Sequence, residues 1–197
     1  MADASATRMK ILNACRTLLE SDARAATRMS DVAKAAGVSR QAVYLHFKTR
    51  AELLIALTRH IDTVEDVDDR LAASRAATGL NRLDAFIDAW GGYIPVIYPV
   101  GRALMAMAPG DDAARLAWED RMTAMRQGCE AAVRALESVG ALKDALTLET
   151  GTDMLWTLLS VRNWEALVET CGWDQSRYIA DMKALSRAYL CKTDNHG

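Results

Sequence analysis

The sequence has few of the residues that break, staple or crosslink a chain. It holds three prolines and eleven glycines in 197 residues, and none of either stands between Thr49 and Gly79. Its four cysteines, Cys15, Cys129, Cys171 and Cys191, are far apart and form no C-x-x-C. That excludes a disulfide framework and points to reduced, buried thiols. Histidine is nearly absent, with His46, His60 and His196 the whole complement. There is no H-E-x-x-H, no G-x-G-x-x-G, no P-loop and no plausible Ser/His/Asp set, so the common metalloprotease, nucleotide and hydrolase readings have no residues to rest on. The longest uncharged run in the middle, residues 89–101, carries two prolines and three glycines and is too short for a bilayer. No membrane partner is expected. The opening MADASATRMK has an acid at Asp3 and no apolar core, so it reads as no secretory signal and the expected location is the cytoplasm.

Charge is present but unevenly divided. Residues 1–60 hold ten Lys/Arg against five acids, a balance of +5, whereas the rest of the chain holds 14 against 21, or −7. A basic head on an acidic body suggests that the head meets a polyanion. His60, followed by Asp62, Glu65, Asp66, Asp68 and Asp69, reads as a solvated helix face, and no metal or other cofactor is expected.

No strand-like alternation appears, and helical periodicity runs through nearly the whole chain. Met9, Leu12, Cys15, Leu18 and Leu19 mark a first amphipathic helix over about 7–21. Thr27 to Asp31 starts a short second helix, with Val32, Ala33 and Ala36 on one face, and Gly37 stops it as a left-handed cap. Ser39 is placed to N-cap a third over 40–47. Thr49 caps another, whose stripe of Leu53, Leu54, Leu57, Ile61, Val64 and Leu71 predicts one unbroken helix to about Ala73. Two short helices joined by a tight glycine turn and packed on a third make a helix-turn-helix, whose second helix suits the DNA major groove. Its inner face keeps Val38, Val43 and Phe47 for the core. The outer face offers Arg40 and Gln41, which match guanine and adenine edges bidentately, and Ala42, small enough to touch a thymine methyl. Tyr44, His46, Lys48 and Arg50 suit phosphates, and Ser39 is counted with the expected DNA-contacting residues.

The segment DVAKAAGVSRQAVYLHFKTRAELL, residues 31–54, resembles the DNA-binding domain of the TetR (tetracycline repressor) family. The A-G-V-S turn, Tyr44 and Phe47 spaced as Tyr-x-x-Phe, and the basic Arg50 before a Leu-containing helix carry the likeness, which is specific over about residues 8–57. Residues 155–190 are loosely similar to the last two helices of members. Two positions depart from the pattern: Arg28 stands where members commonly open the second helix with a phosphate-binding Thr, which makes Arg28 the expected backbone contact there, and Ala23-Arg24 stand where they have Gly and an aromatic. The resemblance implies an all-α chain, with a three-helix helix-turn-helix domain over 1–49 and a C-terminal helical bundle for ligand binding and dimerisation over 50–197.

In that body, Asn81 is expected to cap a helix to Trp90, with Gly91-Gly92 and Pro95 breaking it and Pro99 beginning a short one. Asp111 or Asp112 starts a long helix ending near Gly140. Trp90, Tyr93, Met105, Trp118, Met122, Met125 and Trp156 would line a largely apolar cavity, although aromatic and Met stripes at helical spacing are also ordinary core. The last two helices are expected over about 147–171 and 175–190. The resemblance implies that they form a homodimer, here through Leu155, Leu158, Leu159, Val168, Tyr178, Met182, Leu185 and Tyr189. Three function classes follow. One is a regulator, most simply a repressor, released from a palindromic double-stranded operator by a hydrophobic or aromatic effector that tilts the helix beginning at Arg50. The second is a dimeric DNA-binding protein without an effector, and the third, for which no motif speaks, is an enzyme.

Overall fold

The computed structural model describes residues 2–21 and 28–192, so the expectations at Ala23-Arg24 and Thr27 lie outside the described residues. Among those residues the architecture is all-α, with no strand and one isolated bridge between Leu142 and Cys191. The helices are α1 (Ala2–Ser21), α2 (Met29–Ala36), α3 (Arg40–His46), α4 (Arg50–Val64), α5 (Val67–Arg70) and α6 (Ala72–Ala76). They are followed by α7 (Gly79–Met107), α8 (Asp112–Ser138), α9 (Leu148–Leu158), α10 (Val161–Trp164), a π-helical turn over Glu165–Thr170, and α11 (Gln175–Leu190). Residues fall into two compact units, one of 1–65 with 97–122, the other of 66–96 with 123–197.

In the first unit, Leu12, Cys15 and Leu19 of α1 meet Val32, Val43, Phe47, Leu53, Leu54 and Leu57, all at most 2% exposed. Val100, Ala103, Leu104, Ala114 and Ala117 complete the same core. Met9 and Val64, members of the expected stripes, are exposed. The α4 helix is shorter than its pattern predicts. It stops at Val64, and Asp66 takes a left-handed φ of 54°, a conformation that a short polar side chain tolerates better than most. Two short helices then replace the expected continuation to Ala73.

The second unit is built around Leu83, Ile87, Ile94, Cys129, Val133, Leu136, Leu155, Leu159 and Tyr178, none with measurable exposure. Here the expected break at Gly91-Gly92 and Pro95 is absent, and α7 runs on to Met107. Pro95 has no N–H for the carbonyl of Gly91. The Gln175 side-chain amide donates to that carbonyl instead, at 2.7 Å, and accepts from the Trp164 indole N–H at 2.8 Å. The missing backbone bond is thus replaced from α11. Conversely, the single helix expected over 147–171 is divided. Ser160 accepts from the Asn163 N–H and restarts the chain as α10, while the Asn163 amide donates to the Thr157 carbonyl at 2.7 Å, covering an acceptor at the end of α9. The final helix has the expected bounds.

Close approach within the second unit depends on glycines, Gly151 beside Val133 among them. A Cβ at Gly128 of α8 would meet the Phe86 ring at 2.5 Å, and one at Gly91 would meet Ile179 at 2.7 Å, whereas Gly92 has nothing within 4 Å. Gly128→Ala should therefore lower stability by about 1–3 kcal/mol despite its better helix propensity. Gly92→Ala should raise it by about 0.5–1 kcal/mol. Urea midpoints for the two variants should move in opposite directions, and a shared direction would show that the Phe86 contact is loose.

Candidate nucleic-acid interface

The turn between α2 and α3 is fixed by local bonds. Gly37 adopts φ 66°, the Val38 N–H reaches the Ala33 carbonyl at 3.0 Å and the Gly37 N–H that of Lys34 at 3.2 Å, the paired bonding of a Schellman cap. Ser39 then caps α3 by accepting from the Ala42 N–H at 3.0 Å. The next start is similar: Thr49 accepts from the Glu52 N–H at 3.1 Å, and Glu52 reaches back to the Lys48 N–H at 2.9 Å. Underneath, Val43 and Phe47 anchor α3 with no exposure, and the Arg8 guanidinium covers the Phe47 ring at 4.5 Å.

This arrangement leaves Arg28, Ser39, Arg40, Gln41, Tyr44 and Lys48 exposed, and Ala42 and His46 half-buried. The Arg40 guanidinium lies 5.6 Å from the centroid of the Tyr44 ring, so the two side chains share one part of the surface. Residues 38–50 contain Arg40, Lys48 and Arg50 and no acid. Periodicity reasoning missed Leu45, which is 78% exposed; the signal was its position on α3 opposite Val43 and Phe47.

Arg50 has a different setting from its expected neighbours. It donates to Asp111 at 2.5 Å and to Met107 Sδ at 3.7 Å. Asp111 also accepts from the Ala113 and Ala114 N–H groups at 3.0 and 3.2 Å, so one carboxylate both caps α8 and holds the start of α4. Farther along, Arg59 pairs with Asp120 at 2.7 Å, and Arg121 pairs with both Asp62 and Asp120. Partial burial pushes the Asp111 carboxyl up, but the Arg50 hydrogen bond and charge and the two N–H donors outweigh it and hold its pKa below the ordinary carboxylate value.

The seven residues of the expected ligand set do not gather in one unit. Met105, Trp118 and Met122 belong to the first, and Trp90, Tyr93, Met125 and Trp156 to the second. In the second, Trp90 donates its indole N–H to the Leu159 carbonyl at 2.8 Å and stands edge-on to Tyr93, 6.4 Å between centroids. Of the arginines nearest the expected cavity, Arg115 pairs with Asp112 and Glu119, and Arg121 with Asp62 and Asp120. An open groove of about 770 Å³ lies in the first unit between α1 and α4, lined in part by Arg8, Leu12, Ile55 and His60. None of the expected ligand residues lines it.

The expected dimer set separates by burial. Leu155, Leu159, Tyr178 and Met182 are at most 3% exposed and pack inside the second unit, so they are core of one chain and not surface for another. Leu158 and Val168 are half-buried, and Leu185 and Tyr189 are 49% and 38% exposed. Among the thiols, burial pushes Cys15 up to about 12 and Cys129 higher still, which removes both as nucleophiles. Three of the acids after His60 are in ion pairs, Asp62 with Arg121, Glu65 with Arg16 and Asp68 with Arg75.

Residues 11–57 match the family of bacterial regulatory proteins named tetR. The segment takes in most of α1, all of α2 and α3 and half of α4. Over that segment the chain is similar to the TetR family. It is 37% identical over 82 residues to the probable HTH-type transcriptional regulator ArpR of Pseudomonas putida, an alignment spanning 42% of this chain and 37% of that protein. Similarity of fold extends farther. NalD of Pseudomonas aeruginosa, the secondary repressor of the MexAB-OprM multidrug efflux pump, superposes with a TM-score of 0.68 at 21% identity, covering 99% of this chain and 100% of NalD. A regulator from Saccharomonospora viridis in complex with choline gives a TM-score of 0.73 at 16% identity, covering 96% and 100%. The match in sequence is thus confined to the head, and the similarity over the whole chain is one of fold alone. Among the described residues, no helix is long and apolar enough to cross a membrane.

The Arg50–Asp111 pair has a pH signature. In the unfolded chain Asp111 titrates near the ordinary value of about 3.9, and in the folded chain below it. The unfolded state therefore binds more protons in that window, so the stabilisation is complete above about pH 4 and is lost as pH falls through the lower folded pKa. Asp111→Asn keeps a good N-cap but removes the charge. It should lower the urea midpoint at pH 7, with the gap from wild type closing under acid. A gap that stays constant down to about pH 3 would show that the carboxylate charge is not what binds α4.

Proposed function

We propose that this chain is a TetR-family homodimeric transcriptional repressor that binds a palindromic operator through α3 and leaves it when an apolar small molecule enters the body. The observation that carries the DNA reading is the acid-free, solvent-facing surface of α3 and its flanks, with Arg40, Gln41, Tyr44 and Lys48 exposed on a helix pinned from below by Val43 and Phe47. Arg40 and Gln41 have the donor and acceptor geometry for base edges, while Lys48, Arg28 and Tyr44 serve phosphates. One seven-residue helix reads too few base pairs to select a site, so two copies on a palindrome are needed. For the dimer contact, Leu185 and Tyr189 on α11, with Leu158 and Val168, are the apolar side chains that burial leaves available.

A selection from random duplexes tests this. It should enrich an inverted repeat whose binding weakens steeply with salt, because the bound cations displace counterions. Gln41→Ala should relax sequence preference, costing about 1–3 kcal/mol at one position per half-site, whereas Lys48→Ala should weaken all duplexes about equally. Leu185→Glu should halve the mass in light scattering and abolish binding to the repeat. Enrichment of nothing, or a monomeric wild type that binds the repeat tightly, would sink the reading.

The effector is proposed for the second unit, among Trp90, Tyr93, Met125 and Trp156, where indole, phenol and thioether surfaces favour an uncharged, hydrophobic or aromatic molecule. That NalD represses a multidrug efflux pump, and that the Saccharomonospora viridis regulator of this fold holds choline, supports a small-molecule role for such a body. Release follows if the molecule prefers a head conformation that the operator disfavours. Effector and operator then weaken each other by one common factor, typically about 5–150-fold. A screen of hydrophobic compounds should find one that changes tryptophan emission and releases DNA, and Trp156→Ala should blunt that response without altering DNA affinity. A compound that binds and changes emission while leaving operator affinity unchanged would separate ligand binding from regulation.

A further inference from the structure

Leu45 has the placement of a contact residue and no structural task. The α3 helix advances about 100° per residue, which sets Leu45 diametrically opposite the midpoint of Val43 and Phe47, the two residues that anchor the helix with no exposure. Leu45 is 78% exposed, well above the other large apolar side chains at the surface, such as Tyr44 at 40% and Leu185 at 49%. Single apolar residues on a surface are common, but this one is the crest of a seven-residue helix. Gln41 lies one turn before it and Ala42 three residues before it, so the three share one face. The exposed charged residues at the two ends of the helix, Arg40 at its start and Lys48 just past its end, are both cations. A helix with cations at its ends and an apolar crest complements a groove with phosphate walls and a methyl-bearing floor, and in duplex DNA the apolar group on the major-groove floor is the thymine C5 methyl.

We infer that Leu45 determines specificity by packing its isobutyl group against a thymine methyl in each half-site, next to the base pair read by Gln41. This rests on the DNA-binding reading above and deepens it, because it assigns base discrimination to a side chain that makes no hydrogen bond. Burying one methyl group is worth about a fourfold change in affinity, so two symmetric half-sites together give roughly fifteenfold.

The test replaces thymine by uracil, one position at a time, in the duplex selected by the wild-type protein, a change that removes the methyl and leaves base pairing intact. For the wild type, one symmetric position should lose about fourfold per half-site. Leu45→Ala should bind the thymine duplex less tightly by a similar factor and be insensitive to uracil at that position alone, with its sensitivity elsewhere retained. The exposed position makes loss of folding no concern, and an unchanged thermal midpoint checks that. If Leu45→Ala and wild type share one uracil profile, or the wild type shows no sensitive position, the inference is overturned while the DNA reading stands. If no duplex is enriched, both fall. A change in mass for Leu45→Ala with an unchanged uracil profile would assign the side chain to self-association and overturn the thymine contact equally.

Discussion

Arg50 and Asp111 are 61 residues apart in sequence and form a 2.5 Å ion pair at the point where α4 begins. Much of the first unit depends on that pairing, because Asp111 simultaneously caps α8 through the Ala113 and Ala114 N–H groups. Nine residues farther along each helix, Arg59 meets Asp120, and then Asp62 meets Arg121. The equal nine-residue steps from Arg50 to Arg59 and from Asp111 to Asp120 mean that α4 and the start of α8 run parallel, over roughly 14 Å at 1.5 Å per residue. Exposed ion pairs contribute little individually. Here both side chains of the Arg50 and Arg121 pairs are only about a fifth to a quarter exposed, and Ala114 and Ala117 pack into the core beside them. Register is therefore specified by charge and stabilised by burial.

The consequence for the head is that three flanking residues are all that separate the end of α3 at His46 from a helix start held by residues 97–122. Phe47 is buried, Lys48 is bonded back to Glu52, and Thr49 caps α4, so none of the three is a slack tether. A shift of the segment around Asp111 has a short, stiff route to the recognition helix through α4. On the proposed reading, that makes Arg50 a coupling residue more than a phosphate contact, since its guanidinium is committed to Asp111 and Met107.

Local chemistry was legible in the sequence wherever both partners stand within a few residues. Ser39, Thr49 and Gly37 have the capping geometry that their positions predict, and the bounds of α11 follow from its pattern. Features determined by distant partners were not legible. Nothing near Pro95 announces that Gln175, 80 residues later, will take the carbonyl that proline leaves without a donor. Nothing between Thr49 and Ala73 marks Asp66 as left-handed, because the usual sign is glycine. Ser160 was readable as a cap but lay inside the apolar run LWTLLSV, whose periodicity continues across it. For the candidate site, periodicity separated buried from exposed positions on α3, yet it could not distinguish a surface cation from one already paired, as at Arg50. It also could not tell an apolar stripe facing its own core from one facing another chain. Leu155 and Tyr178 belong to the former, while Leu185 and Tyr189 have the exposure the latter requires.

The distribution of apolar groups on α3 bears on how such a head divides affinity from selectivity. Cations give a binding energy that is largely indifferent to sequence and vanishes with salt, so on the proposed reading Arg28 and Lys48 would bring the head to any duplex without choosing among them. Choice must come from groups whose energy depends on the base edge, and α3 has room for few. On that reading Gln41 would contribute two directional bonds that are costly when unmatched. Leu45 would contribute an undirected contact that tolerates small misplacement but requires a methyl group. A helix anchored rigidly by Val43 and Phe47 makes the first kind effective, because directional bonds lose most from misalignment. The same rigidity keeps Leu45 raised when no DNA is present, so its apolar surface is already in place before binding and no rearrangement of the helix is needed to form the contact.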